Sequence, residues 1–185
     1  MKKHLTPGNI LFYALLIAML IPTSRKFIQV NLLRVLSFAP NMEESSDQVY
    51  DDSELQMYLI NESGGRTDLS SLSNKALFVN IWATWCPPCI AEMPSIDELY
   101  ERTSDDIEFI VASGEPIDKI SAFKKKNGYS FPVYQIAGPL PEIMTRTNSI
   151  PSTYIFSKDR KLIVNHTGGK NWAKESFIKE LLANI

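Results

Sequence analysis

Residues 78–94 read Phe78-Val-Asn-Ile-Trp-Ala-Thr-Trp-Cys-Pro-Pro-Cys-Ile-Ala-Glu-Met-Pro94, and three local patterns follow one another along them. Leu77, Phe78, Val79, Ile81 and Trp82 form an apolar run rich in β-formers that stops at Ala83-Thr84. Cys86 and Cys89 come next and are the only cysteines in the chain. Beyond them Ile90, Met93, Ile96, Leu99 and Tyr100 recur near three- and four-residue spacing, the pattern of a helix with one apolar face. The stretch predicts a buried strand, a short turn, and a helix whose first turn carries a dithiol.

That geometry suits redox chemistry. Residues three apart on a helix share a face, with Cβ atoms roughly 5–6 Å apart. Small rotamer changes bring them to the roughly 3.5–4.5 Å that a disulfide needs. If Cys86 is the N-cap, its sulfur lies near unpaired N–H groups and the positive end of the helix dipole, which favour thiolate over thiol. Pro87 and Pro88 fit the first helical positions, where a missing N–H breaks no helical bond. Pro94 lies deeper, removes a bond to the Ile90 carbonyl, and predicts a kinked axis.

Two other uses of a cysteine pair stand beside this one. A structural zinc site usually takes four Cys and His ligands, and only His4 and His166 could join the cysteines, His4 from ahead of the hydrophobic segment. A disulfide closing so short a loop removes little chain entropy, which leaves little for a purely structural role. Redox chemistry fits the pair best.

With 185 residues, 44% of them hydrophobic and 22% charged, the chain has the make-up of one soluble domain plus an appendage. A net charge of −2 points to no polyanionic partner, and Lys124-Lys125-Lys126 reads as a solvated helix face rather than a nucleic-acid patch. The appendage is N-terminal. After Met1-Lys2-Lys3, residues Ile10 to Ile21 are apolar and uncharged, until Pro22-Thr-Ser-Arg-Lys26 ends the run. That length suits a signal-peptide core better than a full span of about 20 residues. No small-x-small cleavage site follows, however, and Pro40 disqualifies Ala39. The expectation is an uncleaved signal anchor, extended at one end by Leu5, rather than a cleaved signal. Phe27 to Phe38, where Gln29, Asn31 and Arg34 interrupt apolar residues, predicts a helix lying at the membrane interface. Basic residues flank the apolar run on both sides, so charge does not orient it. A dithiol domain meets oxidised partners outside the cytosol, and that places it there.

The division expected is a signal anchor with its interfacial segment over 1–40, a Ser/Asp/Glu-rich linker over 41–54, and a folded domain over 55–185. Within the domain, Met57 to Ile60 predicts a strand, Glu62 to Arg66 a turn, and Ser70 to Asn74 a polar lead-in to the central strand. Ile107 to Ser113 is a second buried strand, broken by Gly114-Glu-Pro116. A helix marked by Ile117, Ile120 and Phe123 stops at Asn127-Gly128. Phe131 to Ile136 predicts a strand and Leu140 to Thr147 a short helix. Ser152 to Phe156 and Lys161 to His166 predict an antiparallel pair joined by Ser157-Lys-Asp-Arg160 and ended by Gly168-Gly169. Phe177, Ile178, Leu181, Leu182 and Ile185 form one face of a last helix. The order βαβα, then β–β–α, demands a parallel crossover followed by a hairpin. An α/β fold with a mixed central sheet and helices on both faces results.

Ile150-Pro151 precedes a strand, where proline cannot sit inside a sheet. Taken alone, the X–Pro bond is trans by default. A cis bond there would expose the main-chain groups of Ile150 to an extended substrate.

Trp82-Ala-Thr-Trp-Cys-Pro-Pro-Cys89, with Glu92 and Pro94 after it and Ile150-Pro151-Ser-Thr before a strand, resembles the thioredoxin superfamily. Within it the closest resemblance is to membrane-anchored extracytoplasmic thiol–disulfide oxidoreductases of the TlpA/ResA type, over about residues 55–185. It implies a thioredoxin-like fold and a cis Ile150–Pro151 bond. By that resemblance Cys86 attacks a partner disulfide and Cys89 resolves the mixed disulfide, while Glu92 exchanges a proton with Cys89. Trp85 flanks the disulfide as an apolar shield, and Pro87, Pro88, Ile150 and Pro151 join it in contacting substrate. Trp82 and Trp172 read as packing aromatics. Asn80 stands six residues before Cys86, where cytosolic thioredoxins keep a buried aspartate. It cannot titrate, and that leaves the proton role to Glu92.

The implied function is reduction of disulfides in exported proteins, apocytochrome c among them, by a domain recharged from a membrane electron donor. No metal or cofactor is expected. An oxidase or isomerase running the exchange in reverse is one alternative. A copper-binding chaperone using Cys86, Cys89 and His166 is another.

Overall fold

The computed structural model describes residues 7–40, 48–71 and 75–185. The basic start, His4, Leu5, linker residues 41–47 and residues 72–74 of the polar lead-in lie outside them. The strands are β1 (Tyr58–Ile60), β2 (Arg66–Asp68), β3 (Ala76–Trp82), β4 (Ile107–Ser113), β5 (Val133–Ile136), β6 (Ser152–Phe156) and β7 (Leu162–Thr167). The helices are α1 (Pro7–Leu20), α2 (Pro22–Leu36), α3 (Pro87–Thr103), α4 (Ile117–Asn127), α5 (Glu142–Thr145) and α6 (Glu175–Asn184).

Strand β3 is buried along its whole length. Alternate side chains of a strand point to opposite faces, so Ala76, Phe78 and Trp82 enter one core while Leu77, Val79 and Ile81 enter the other. Such a strand must be covered on both faces, and β3 lies inside a seven-stranded sheet of order β2-β1-β5-β4-β3-β6-β7. Strands β3, β4 and β5 are parallel; β6 and β7 on one side, and β1 and β2 on the other, are antiparallel additions. The crossovers through α3 and α4 step the same way across the sheet. Met93, Ile96 and Leu99 of α3, and Ile120 of α4, bury into the same core, as connections of one hand require. Phe177, Ile178 and Leu181 of α6 complete that layer. The opposite face is covered by Ile143 and Met144 of α5 with Tyr50, Leu55, Met57 and Leu69. The mixed sheet with helices on both faces is therefore as expected.

Helix α4 ends where Asn127-Gly128 predicts, with Gly128 at φ 74° and its N–H turned back to the Lys124 and Lys125 carbonyls. Of the lysine run, Lys124 pairs with Glu62 across the surface at 2.7 Å. Two elements depart from the expected pattern. Strand β2 carries no apolar alternation, because Arg66-Thr67-Asp68 is an edge strand held mainly by its hairpin partner β1. Its turn is built by Asn61, whose Oδ1 accepts from Ser63 N, Ser63 Oγ and Gly65 N. Ordered pairing also begins upstream of Leu55. Tyr50 N donates to Arg160 O and Leu162 N to Gln48 O, and the Tyr50 ring meets Phe156 edge-on.

The N-terminal region forms two helices broken at Ile21, with Pro22 in the first turn of the second. Among the described residues no helix is long and apolar enough to cross a membrane. Helix α1 has 14 residues, and Ile10, Leu11, Phe12, Leu16, Ile17 and Leu20 are exposed on it. The interfacial segment is helical as expected, but α2 lies on the domain: Val30 is buried with Ile90 and Ala91 of α3, against Phe123 of α4. An amphipathic pattern specifies an apolar face, not what covers it.

Phe78 stacks on Phe109 at 4.9 Å and meets Trp172 edge-on at 5.4 Å. Phe78→Ala is expected to lower stability by about 3–5 kcal/mol, the usual cost of emptying an aromatic site in a core. Urea unfolding followed by tryptophan fluorescence measures it.

Candidate active site

Helix α3 begins directly after Cys86. Cys86 is the N-cap, with extended backbone (φ −86°, ψ 109°), and Pro87 and Pro88 occupy the first turn. Its Sγ accepts a hydrogen bond from Cys89 N at 3.3 Å, one of the donors that a helix start leaves unpaired. Cys86 and Cys89 form a disulfide, with Cα atoms 5.3 Å apart. The helix runs unbroken through Pro94.

The pair is nearly enclosed: Cys86 is 3% exposed and Cys89 fully buried, while Trp85 beside them is 64% exposed. The other wall comes from the far end of the chain. Ile150–Pro151 is cis, and Ile150 O lies 3.7 Å from Cys86 Sγ, placed to accept from it when Cys86 is a thiol. Gly168 N donates to Pro151 O at 2.8 Å. Gly169 then passes so close to the first turn of α3 that a Cβ on it would lie 3.0 Å from Pro88 O, which leaves room for glycine.

Glu92 stands three residues past Cys89, on the same face of α3, and is 1% exposed. Its Oε1 accepts from Asn80 Nδ2 at 2.9 Å. Its Oε2 accepts from Trp172 Nε1 at 2.9 Å and Lys170 N at 3.3 Å. Burial raises its carboxyl from 4.5 to about 7, against the pull of those hydrogen bonds from Trp172, Asn80 and Lys170. Asn80 gives its second N–H to Thr153 Oγ1 at 2.9 Å, and its own Oδ1 is buried without a hydrogen-bond partner among the described residues. An acid that is half-protonated near neutral pH, set beside a dithiol, can pass a proton in either direction.

Of the residues expected at the site, Cys86 and Cys89 are bonded to each other and Ile150 O meets Cys86 Sγ, with Pro151 following it through the cis bond; Trp85, Pro87, Pro88 and Glu92 adjoin the pair along the turn and the first turns of α3. Trp172, expected only as packing, packs on Phe78 and Phe177 and also hydrogen-bonds the acid. Nothing at positions 170–172 signals this, since the partner lies 80 residues away. A second group absent from the expected site is Glu115. Its carboxylate accepts from both Thr84 N (2.6 Å) and Thr84 Oγ1 (2.9 Å), which holds the turn before Trp85. Burial alone would raise its carboxyl, but hydrogen bonds from Lys119 and Thr84 outweigh it and set the group below its ordinary value. His166 stands edge-on to Trp172, and among the described residues no three His, Cys, Asp or Glu side chains cluster to hold a metal.

The Redoxin family matches residues 39–182 of the chain. The thiol–disulfide oxidoreductase ResA of Halalkalibacterium halodurans is 31% identical over 124 residues, 66% of this chain and 69% of that protein. ResA of Bacillus subtilis is 26% identical over 153 residues, 78% of this chain and 86% of its own. Among solved structures, StoA from Bacillus subtilis superposes with a TM-score of 0.54 at 19% identity, covering 69% of this chain and 96% of its own, and so shares the fold.

The raised carboxyl of Glu92 has a signed consequence for stability. The folded chain holds this proton more tightly than the unfolded one, whose carboxyl titrates at its ordinary 4.5. The contribution is full below that value and is lost as pH rises through about 7. Urea unfolding across that interval is expected to show stability falling with pH in the native chain, and Glu92→Gln is expected to remove that component of the slope.

Proposed function

The chain belongs to the Redoxin family and is a ResA-like thiol–disulfide oxidoreductase of the thioredoxin superfamily; from that premise we propose that it reduces disulfides in exported proteins. The observation that carries the reading is the bonding of an N-capping Cys86, 3% exposed, to a fully buried Cys89 on the helix that carries Glu92 one turn further on. In the reduced protein the helix start stabilises the Cys86 thiolate, which attacks one sulfur of a partner disulfide and expels the other as thiolate. Ile150 O, at the mouth of the site, pairs with an extended partner backbone, and exposed Trp85 covers the mixed disulfide. Cys89 then gives its proton to the Glu92 carboxylate and attacks Cys86 Sγ. The Cys86–Cys89 disulfide closes and the partner leaves with its second thiolate. Two electrons have passed to the partner, and a membrane electron donor returns two to the protein.

Asn80 serves both states of Glu92. Its amide donates to the carboxylate as it stands. When Glu92 carries the proton, a half-turn of the amide offers the idle Oδ1 to both the Glu92 O–H and the Thr153 hydroxyl. We place the domain outside the cytosol, held at the membrane by α1, whose exposed apolar residues support that role. Apocytochrome c is the substrate proposed by resemblance. The copper-chaperone alternative finds no cluster of ligands among the described residues to favour it.

Two measurements test the reading. Cys89→Ser is expected to accumulate a mixed disulfide through Cys86, identified by mass spectrometry, while Cys86→Ser captures nothing; the reverse result overturns the assigned roles. Equilibration with glutathione buffers is expected to give a reduction potential below about −200 mV, and a value well above that favours the oxidase or isomerase direction.

A further inference from the structure

Besides the packing of Val30 on α3, the segment of helix α2 is hydrogen-bonded to the domain at two points among the described residues, and both adjoin the redox site. Near its start, Lys26 Nζ donates to Thr84 O at 3.0 Å. Just past its end, Phe38 O accepts from Asn171 N at 3.0 Å, between the two residues that hydrogen-bond Glu92. Thr84 is thereby held by all its polar groups: its N–H and hydroxyl by Glu115, and its carbonyl by Lys26. It is the second residue before Cys86, and the backbone of that turn closes through Cys86 N to Ala83 O at 3.2 Å.

The charges around Thr84 do not balance. Glu115 is ionised and paired with Lys119. Lys26 has no carboxylate within ion-pair reach among the described residues, and Arg34 and Lys126 line the same cleft between α2, α3 and α4. Glu92 is the nearest buried acid on the Cys86 side, and its oxygens are turned to Asn80, Lys170 and Trp172. Thr84 and Cys86 are two positions apart in the chain, with Trp85 between them, which puts the Lys26 ammonium on the order of 10 Å from the sulfur, about one Debye length.

We propose that Lys26 is a positioning residue for the redox pair: it fixes the Thr84 carbonyl and brings to the turn into Cys86 a positive charge that no carboxylate among the described residues pairs. Helix α2 is then part of the redox site rather than a tether between α1 and the domain. A cation there favours the Cys86 thiolate, and so the reduced protein, over the neutral disulfide. This rests on the dithiol exchange proposed above.

The test uses the full-length chain in detergent micelles, equilibrated with reduced and oxidised glutathione and scored by alkylation and mass spectrometry. Lys26→Met is expected to shift the equilibrium constant towards the disulfide by about threefold to tenfold, tenfold being about 30 mV. Lys26→Arg keeps the charge and the donor, and restores the native constant. Val30→Asn loosens α2 from α3 without touching Lys26, and shifts the constant in the same direction as Lys26→Met. A Lys26→Met constant equal to the native one, or a shift that Lys26→Arg leaves in place, overturns the assignment. A native chain whose cysteine pair does not exchange with glutathione at all overturns the oxidoreductase reading instead.

Discussion

A carboxylate taken out of water keeps its charge only where hydrogen bonds replace its hydration. Glu92 is enclosed on every side, and its donors come from three places in the chain: Asn80 on β3, the Lys170 main chain, and the Trp172 indole. Ser95, one turn further along α3, binds the same loop, accepting from Trp172 N and donating to the Glu92 and Lys170 carbonyls. The centre of the sheet, the dithiol helix and the loop after β7 are therefore joined at one acid. Three donors do not fully offset the burial, and the carboxyl settles near 7, where either protonation state is accessible. Fuller solvation would leave a permanent anion, and poorer solvation a permanent acid. Neither could relay a proton to a thiol near neutral pH.

Asn80 belongs to the same balance. A second carboxylate at its position would lie 2.9 Å or so from Glu92 Oε1, where the amide nitrogen now stands. Two acids so close cannot both ionise, and their titrations would be driven apart. The amide is neutral and carries both a donor and an acceptor, so it can follow the acid through its cycle without competing for the proton. Its cost is one buried oxygen with no partner among the described residues.

What could be read from the residues divides along range. Strand β3, helix α3 and strand β4 each carry their own periodicity, and Gly128 and the two N-terminal prolines of α3 mark helix ends by local backbone chemistry. The order of these elements is enough to require a mixed sheet. Contacts between distant segments leave no such trace. Trp172 has the composition of a packing residue, and its N–H finds Glu92 only when the loop after β7 folds back onto α3. Gly169 reads as a strand terminator, but its lack of a side chain matters because Pro88 O passes against it. Strand β2 is polar because an edge needs no apolar face. The clearest difference is α2, whose pattern of alternating polarity would serve a lipid surface or a protein surface equally well. Ile90 and Ala91, its partners, sit on a helix already explained by other contacts.

Docking of α2 changes what an N-terminal anchor can do. A flexible tether would let the redox face sample many orientations, at a cost in effective concentration towards any partner fixed in the same membrane. Here the break at Ile21 is followed at once by a helix of 15 residues, about 22 Å long, laid along α3 and α4. One end holds the turn before Cys86 and the other holds the loop that solvates Glu92. If α1 lies in a membrane, the distance and tilt of the disulfide relative to that surface are set by α2 rather than by linker length. The exposed side of the site, carrying Trp85, then faces partners from a fixed direction. Any force that lifted α2 would act on the turn before Cys86 and on the loop that solvates Glu92 together, because the two bonds reach both.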